Sequence, residues 1–398
     1  MSDVVDIYDP DGYVDGPPHQ VFDRLRLEQP VFRQEMPDGT WYWAVLRHGD
    51  VVEVSRQPLV FSAATGGVVL EDLDPDSLAM MRNMLLAMDP PLHIEHRRNI
   101  SPRFRARVIA GLEPRIRAMC AQIFDAVEPG RPVDFVHEVA SHLPARIIGE
   151  LMGIPREDWP RLHEMAERNS GGQDPDINPE QRGSSSVDMA MYAIEHAQRR
   201  RAEPARDDLT TLLLESEIDG RAMTDIEFGS FFVQLVTAAN DTTRTMLSSG
   251  LLALLEHPEQ LAAVRAEPGL IPGAVEEILR WANPLHYFRR TATEDTRLSD
   301  TAISAGDKVA MIYTSANRDG EVFDDPHRFD IRRDPNPHLS FGVAEHFCLG
   351  AHLARLEGRV FFEELLGRFG SIELVGPPRR QRSNLNNALK ALPVVLAH

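Results

Sequence analysis

One cysteine near the C-terminus stands where metal-ligand chemistry is possible. Cys348 follows a loop containing Phe341 and Gly342, and after it apolar residues recur at helical spacing. The sequence therefore predicts that Cys348 lies at a helix start, where unpaired N–H groups and the helix dipole favour a thiolate over a thiol. A thiolate is a soft, electron-donating metal ligand. Gly342 and Gly350 suit close approach of the backbone to a flat group. The ordinary alternative for a lone cysteine is a structural place in the core.

The loop around this cysteine, residues 339–350, carries a recognisable pattern. The run Phe341-Gly342-x-x-x-His346-x-Cys348-x-Gly350 resembles the haem-binding signature of the cytochrome P450 family. The resemblance implies that the cofactor is haem b, iron protoporphyrin IX, and that Cys348 is its iron ligand. It also implies that Phe341, His346 and Gly350 belong to the cofactor site. Ala344 stands where the family usually has glycine, so the turn has to accept a methyl group.

A histidine and an arginine elsewhere in the chain could hold an anion. His93 and Arg97 lie four apart after Asp89-Pro90-Pro91, so they share one face of a helix that proline opens. Such a pair on its own is commonly a solvated helix face. It resembles the family's His-x-x-x-Arg element, which implies that both residues hold the haem propionates, with Arg97 supplying a charge-assisted hydrogen bond. By the same resemblance Arg290, in a strand-like segment, contacts a propionate.

The longest apolar helical pattern, roughly residues 226–256, is interrupted by Asp241 and Thr242. A charged residue inside a central helix is costly unless something there requires it. The ordinary reading of the threonine is a hydroxyl bonded to a carbonyl one turn back. The pair resembles the family's acid–alcohol motif, with Ala239 in place of the usual glycine. The resemblance implies that Asp241 and Thr242 deliver protons to the dioxygen being reduced.

A third element pairs opposite charges along a helix. Glu277 and Arg280 are three residues apart and match the family's Glu-x-x-Arg element, although the same spacing also occurs in ordinary surface pairs. In the family the partner of this pair is an arginine from a later loop. Arg328 is the predicted partner here.

Length and composition limit the remaining possibilities. The 398 residues suffice for two or three ordinary domains, or for one large domain around a buried cofactor. Two cysteines allow no disulfide framework, which favours a reducing cytoplasm. A net charge of −19 argues against nucleic acid as a partner. The acidic N-terminus and the lack of an 18-residue apolar run predict no signal peptide and no membrane anchor.

The elements that position these residues are predicted mainly as helices. Alternating segments at 31–34 and 41–46 flank Pro37-Asp38-Gly39, which predicts a hairpin in a β-rich region of roughly 30–65. Residues 169–186 show no periodicity and are read as a mobile connection or lid near the substrate entrance, with plain disorder as the alternative. The resemblance implies one cytochrome P450 domain over residues 1–398, mainly α with a smaller β region.

The expected activity is that of a haem-thiolate monooxygenase, an oxidoreductase that inserts one atom of O2 into a C–H bond of an apolar small molecule. Steroids, branched lipids and terpene-like compounds are the expected substrates. Electrons would come from a ferredoxin with its reductase, because no flavin or iron–sulfur motif is present. The residues predicted to form a basic dock are Arg97, Arg98, Arg103, Arg105, Arg107, Arg355 and Arg359.

The sequence leaves three alternatives open. A peroxide-driven relative or a non-catalytic haem-thiolate sensor would not need the Asp241–Thr242 pair. A zinc site on Cys348, His346 and His352 lacks the usual ligand spacing.

Overall fold

The computed structural model describes residues 5–169, 174–175, 179–218 and 220–398 of the chain. Helices dominate this part, and the strands form several small sheets. The prediction of a mainly α fold with a smaller β region is confirmed. None of the helices in these ranges is both long and apolar enough to cross a membrane.

In chain order the helices are α1 (His19–Glu28), α2 (His48–Ser55), α3 (Pro75–Met81), α4 (Leu92–Ile100), α5 (Ala106–Ala110), α6 (Glu113–Asp125), α7 (His142–Leu151), α8 (Trp159–Asn169), α9 (Pro179–Arg201), α10 (Leu209–Glu215), α11 (Asp225–Glu256), α12 (Pro258–Ala266), α13 (Ile271–Ala282), α14 (Tyr313–Ala316) and α15 (Ala351–Arg368). Short 3₁₀ turns occupy Pro10–Tyr13, Leu85–Ala87, Ser101–Phe104, Arg156–Asp158, Pro268–Leu270 and Ala344–His346, and a π-helical turn occupies Val136–Ala140.

The strands are β1 (Val31–Glu35), β2 (Trp41–Val45), β3 (Phe61–Ser62), β4 (Pro132–Asp134), β5 (Glu217–Ile218), β6 (Arg221–Ala222), β7 (Tyr287–Ala292), β8 (Thr296–Leu298), β9 (Thr301–Ile303), β10 (Lys308–Ile312), β11 (Ser371–Leu374), β12 (Arg379–Arg380), β13 (Leu389–Ala391) and β14 (Pro393–Ala397). The largest sheet has the order β1-β2-β10-β7-β3, and a three-stranded sheet has the order β11-β14-β4. The pairs β5–β6, β8–β9 and β12–β13 stand alone.

The predicted N-terminal hairpin is present. β1 and β2 pair antiparallel, with Val31 opposite Val45 and Glu35 opposite Trp41. The connecting turn forms because the Asp38 carboxylate accepts a 2.8 Å hydrogen bond from the Thr40 amide. β2 also pairs in parallel with β10, which pairs antiparallel with β7. The hairpin therefore belongs to the same sheet as β7, the strand that carries Arg290.

Helix α11 is the axis of the helical core. Its start is defined by a capping box, in which the Thr224 hydroxyl accepts from the Glu227 amide and the Glu227 carboxylate accepts from the Thr224 amide. The helix packs against α7, α9, α13 and α15. Because its middle is covered on several sides, the polar residues there face either a cavity or a neighbouring helix.

The prediction of an unstructured connection over residues 169–186 was wrong for residues 179–186, which are helical. Helix α9 begins at Pro179, since proline is favourable in the first turn of a helix. Its first residues are polar, and the apolar residues that show helical periodicity come later in the sequence. Residues 170–173 and 176–178, to which the lid interpretation mainly refers, lie outside the described residues.

Candidate active site

The loop that carries Cys348 is closed by its own backbone. The Cys348 amide donates to the carbonyl oxygen of Phe341 at 2.8 Å, and the Phe347 amide donates to that of Ala344 at 3.1 Å. Gly342 has φ of +66° and Ala344 has φ of +61°, both in the left-handed region. Glycine adopts this region without cost, whereas the methyl group of Ala344 is accommodated there only with strain.

The cysteine does not lie inside a helix. Helix α15 begins at Ala351 with Gly350 at its N-cap, so Cys348 precedes the helix by three residues. Burial raises the pKa of the Cys348 thiol, while the Gly350 backbone N–H and the Arg97 and Arg355 cations lower it. The Gly350 N–H and the two arginines therefore favour a thiolate at Cys348, and burial opposes it.

Cys348 faces a large cavity between α11 and the cysteine loop. The space between the protein atoms, counted out to its opening, is about 1660 Å³. Its wall includes His93, Arg97, Thr242, Arg290, Phe341, His346, Cys348 and Gly350. Every residue predicted to bind the cofactor therefore lines one cavity, although these residues come from distant parts of the chain. The apolar wall includes Leu85, Leu86, Phe231, Leu235, Leu285 and Phe288.

The polar end of the cavity suits a group with anionic substituents. The ring centroids of His93 and His346 lie 4.3 Å apart, and both His93 nitrogens and Nε2 of His346 are buried without a hydrogen-bond partner. Burial and neighbouring cations lower the pKa of His93 to about 4 and that of His346 to about 2, so both rings are neutral. Among the described residues no carboxylate forms an ion pair with Arg97 or Arg290. Unsatisfied donors and unpaired cations at one end of a cavity fit the propionates of a haem.

The structure separates the two members of the acid–alcohol pair. Thr242 lines the large cavity, and its hydroxyl donates to the carbonyl oxygen of Ala238 at 2.7 Å. Asp241 lines a small neighbouring pocket instead, which Thr242 shares. One carboxylate oxygen of Asp241 lies 4.0 Å from the Arg244 guanidinium, and Arg244 lies 3.7 Å from Glu167 on α8. Thr242 thus lines both spaces, whereas Asp241 lines only the small pocket.

The predicted partner of the Glu277–Arg280 pair was wrong. Arg280 and Glu277 form a fully buried ion pair at 2.7 Å, but the loop arginine that reaches Glu277 is Arg333, at 3.3 Å. The Arg328 side chain is exposed and lies 3.5 Å from Asp330. Arg328 contributes only its carbonyl oxygen, which accepts a hydrogen bond from Arg280 at 3.0 Å. The path of the loop, rather than the sequence spacing, decides which arginine is used.

Two polar residues of the cavity wall were missed by the sequence analysis. Gln234 on α11 lines the cavity, and its Oε1 is buried without a hydrogen-bond partner. Glu357 on α15 also lines it, and burial raises the pKa of this carboxyl group to about 8. Gln234 falls four and eight residues before Ala238 and Thr242, so helical spacing from the acid–alcohol pair could have found it. Glu357 is one of several charged residues of α15, but it falls on the apolar face of this helix, four residues after Leu353 and three before Val360.

The zinc alternative has no support in the described residues, where no group of three or more histidine, cysteine, aspartate or glutamate side chains could hold a metal ion. A cysteine-bearing loop beneath a long central helix, with a haem-sized cavity between them, is the arrangement of a haem-thiolate protein.

Comparison with known proteins agrees with this class. The sequence model described as cytochrome P450 matches residues 185–394. The methyl-branched lipid omega-hydroxylase of Mycobacterium tuberculosis is 39% identical, over 94% of this chain and 90% of that protein. The steroid C26-monooxygenase of Rhodococcus jostii is 37% identical, over 98% of this chain and 84% of that protein. A cytochrome P450 of Mycobacterium marinum, solved in complex with pseudoionone, has a TM-score of 0.91 at 35% identity and covers 99% of both chains.

The chain therefore belongs to the cytochrome P450 family. It is a cytochrome P450 monooxygenase, an oxidoreductase whose cofactor is haem b.

Proposed function

We propose that this enzyme inserts one oxygen atom from O2 into a C–H bond of a steroid, branched-lipid or terpene-like molecule. The observation that carries the proposal is the apolar wall of the cavity, which includes Leu85, Leu86, Phe231, Leu235, Leu285 and Phe288. An apolar ligand gains roughly 25 cal/mol per Å² of apolar surface that it removes from water. Relatives that are named for steroid and branched-lipid oxidation, and a neighbour solved with pseudoionone, support these substrate classes.

The residues at the polar end of the cavity orient the cofactor in this proposal. His93, Arg97 and Arg290 bind the haem propionates, which would accept a hydrogen bond from the otherwise unpartnered His93 ring and supply anions for the two arginines. Cys348 is the iron ligand. Phe341, His346 and Gly350 complete the pocket around it. The bound haem supplies the activation of O2 and the transfer of one oxygen atom.

Proton delivery is assigned to Asp241 and Thr242. Because the hydroxyl proton of Thr242 is held by the Ala238 carbonyl, its lone pairs can accept a hydrogen bond from an O–H group in the cavity. Asp241 lines the small polar pocket that reaches Thr242 from the other side. Protons would pass from this pocket to Thr242 and then into the cavity, whose apolar wall otherwise excludes water.

A ferredoxin is the proposed electron donor, and the structure revises the residues of its dock. Arg355 is bound bidentately by Glu276, Arg359 by Glu113 and Glu363, and Arg103 pairs with Asp207. Three arginines of the predicted dock remain exposed, namely Arg98, Arg105 and Arg107.

The position of these arginines supports the revised dock. Helix α5, which contains Arg107 and follows Arg105, packs on α15, and the Arg97 guanidinium donates to the carbonyl oxygen of Phe347. Exposed cations beside the cysteine loop would attract an acidic protein in an otherwise acidic chain. We place the enzyme in the cytoplasm, as one domain over residues 1–398.

A reconstituted assay tests the proposal. Steroid, branched-lipid and terpene probes are incubated with the holoenzyme, a ferredoxin, its reductase and reduced nicotinamide under ¹⁸O2, and products are analysed by mass spectrometry. Incorporation of one ¹⁸O atom supports the monooxygenase route. Product formation that requires added hydrogen peroxide and does not respond to the donor chain would favour the peroxide-driven alternative. Binding without any product would favour the sensor.

A further inference from the structure

The side-chain oxygen of Gln234, on the central helix α11, is buried in the cavity wall without a hydrogen-bond donor. Gln234 is the only carboxamide among the described residues that line this cavity, and its Oε1 is buried without a hydrogen bond. A buried acceptor that stays unsatisfied costs about 1–3 kcal/mol. A glutamine at this position is therefore unfavourable unless a ligand completes its hydrogen bonding.

Three hydroxyl groups of the cavity wall, those of Ser55, Thr242 and Ser340, are already bonded to the backbone. Ser55 donates to the carbonyl oxygen of Val51 at 2.7 Å, and Ser340 donates to that of Leu279 at 2.6 Å. Thr242 is likewise bonded to its own helix, through the Ala238 carbonyl oxygen. These hydroxyl groups already have backbone acceptors, whereas the acceptor of Gln234 has no donor.

The position of Gln234 along α11 indicates what such a ligand looks like. Gln234 and Thr242 are eight residues apart, which corresponds to about 12 Å along the helix axis. Leu235 and Phe231 beside it are apolar and line the same cavity. The amide is thus a polar group beside apolar wall residues, well removed from the residue assigned to proton delivery. The terminal torsion of glutamine is broad, so the amide can turn toward a ligand.

We infer that Gln234 accepts a hydrogen bond from the hydroxyl group of an apolar alcohol and thereby selects the substrate. This inference rests on the proposed function and narrows it to apolar molecules that carry one hydroxyl group. The hydroxyl binds along α11 at Gln234, and oxidation occurs at a carbon remote from it. Gln234 is a specificity-determining residue in this arrangement and takes no part in the oxidation.

The test compares each alcohol with its methyl ether, which keeps the oxygen and loses only the hydrogen-bond donor. Farnesol and farnesyl methyl ether form one pair, and cholesterol and its 3-methyl ether form the other. Dissociation constants are measured by equilibrium dialysis and by the absorption change of the holoenzyme. The native protein, Gln234→Leu and the control Leu235→Met are compared, since leucine and methionine have similar volumes.

The native enzyme is expected to bind at least one alcohol about 10-fold more tightly than its ether, the effect of one buried hydrogen bond. In Gln234→Leu this ratio should fall to about one, because the alcohol loses affinity while the ether retains it. Leu235→Met should keep the native ratio.

Two results would overturn the inference. The first is that the native enzyme binds each alcohol and its ether with about equal dissociation constants. This result needs no variant, so it decides the matter even when Gln234→Leu fails to fold. The second is that Gln234→Leu keeps the native ratio of the ether and alcohol dissociation constants. In either case binding and oxidation of the probes leave the proposed function standing. If the native enzyme binds none of the four compounds, both the inference and the proposed substrate class fail.

Discussion

The hydroxyl of Thr242 donates a 2.7 Å hydrogen bond to the carbonyl oxygen of Ala238, one turn earlier on α11. This bond is the ordinary way for a helical threonine to satisfy its hydroxyl. Thr242 also lines both the large cavity and the small pocket of Asp241. Because the Thr242 hydroxyl uses its proton in this bond, the lone pairs of its oxygen can accept a hydrogen bond from a group in the cavity.

Thr242→Ala is expected to keep haem and substrate binding while diverting electrons from product to hydrogen peroxide, because the cavity loses this acceptor. Asp241→Asn should slow turnover, since the path loses its ionisable member. The measurement is product and peroxide formed per reduced nicotinamide. Ser248→Ala is the control, because Ser248 makes the same type of backbone bond, to Arg244 at 2.8 Å, away from the cavity. Unchanged product yield in Thr242→Ala would show that protons take another route.

The two cysteines should behave differently when replaced. Cys348→Ala should abolish the thiolate absorption band of the reduced, carbon monoxide-treated protein, because Cys348 is the cysteine that lines the cavity. Cys120→Ala should leave the band intact, since Cys120 is buried in the core on α6. Loss of the band in Cys120→Ala with its retention in Cys348→Ala would refute the ligand assignment.

Ala344→Gly should stabilise the protein by about 1 kcal/mol. The alanine has φ of +61°, which costs an L-residue roughly 1–2 kcal/mol, and its exposed methyl group contributes little packing to offset this strain. Urea unfolding of both proteins measures the difference. Ala302→Gly, at an exposed position of β9 without positive φ, should be destabilising instead. Equal or lower stability of Ala344→Gly would mean that the strain is compensated locally.

Glu357→Gln should stabilise the fold at high pH only. Burial raises the pKa of Glu357 from 4.5 to about 8, so between these pH values the unfolded state loses this proton and the folded state keeps it. The native protein therefore loses stability as pH rises through this window, by an amount on the order of 4 kcal/mol. Thermal unfolding at pH 5 and pH 9 should show a gain for Glu357→Gln at pH 9 that largely disappears at pH 5.

The control for this effect lies on the same helix. Glu364 is bound by Arg117, so Glu364→Gln removes a paired surface charge rather than a buried unpaired one. It should show no gain at pH 9. A gain of similar size in both variants, or a gain for Glu357→Gln that does not depend on pH, would contradict the explanation.

Charge reversal at Arg105 and Arg107 should raise the ferredoxin concentration needed for half-maximal reduction and reduce the salt dependence of the rate. The reason is that exposed cations accelerate encounter with an acidic partner mainly at low ionic strength. Stopped-flow reduction by an acidic ferredoxin measures both quantities. Arg33→Glu, an exposed arginine of β1, is the matched control. A reduction rate that responds neither to salt nor to these substitutions would exclude this dock.

The sequence alone determined the family, the main elements and the order of the site residues. The hairpin, the central helix and the cysteine loop depend on local patterns of a few residues, such as helical periodicity, turn chemistry and the spacing of glycines around Cys348. Ala344 was likewise recognisable as a departure before its positive φ was known. Such features can be read because the interactions that produce them act between near neighbours.

Only the tertiary structure decided which distant side chains meet. Arg333 rather than Arg328 reaches Glu277 because the loop turns so that Arg280 is satisfied by backbone carbonyl groups, including that of Arg328. Helical spacing could have pointed to Gln234, but only the structure showed that Gln234 and Glu357 are buried beside the cavity with oxygen atoms that lack partners. Partner choice and desolvation depend on the paths of segments far apart in the chain, and neither is encoded in the spacing of nearby residues.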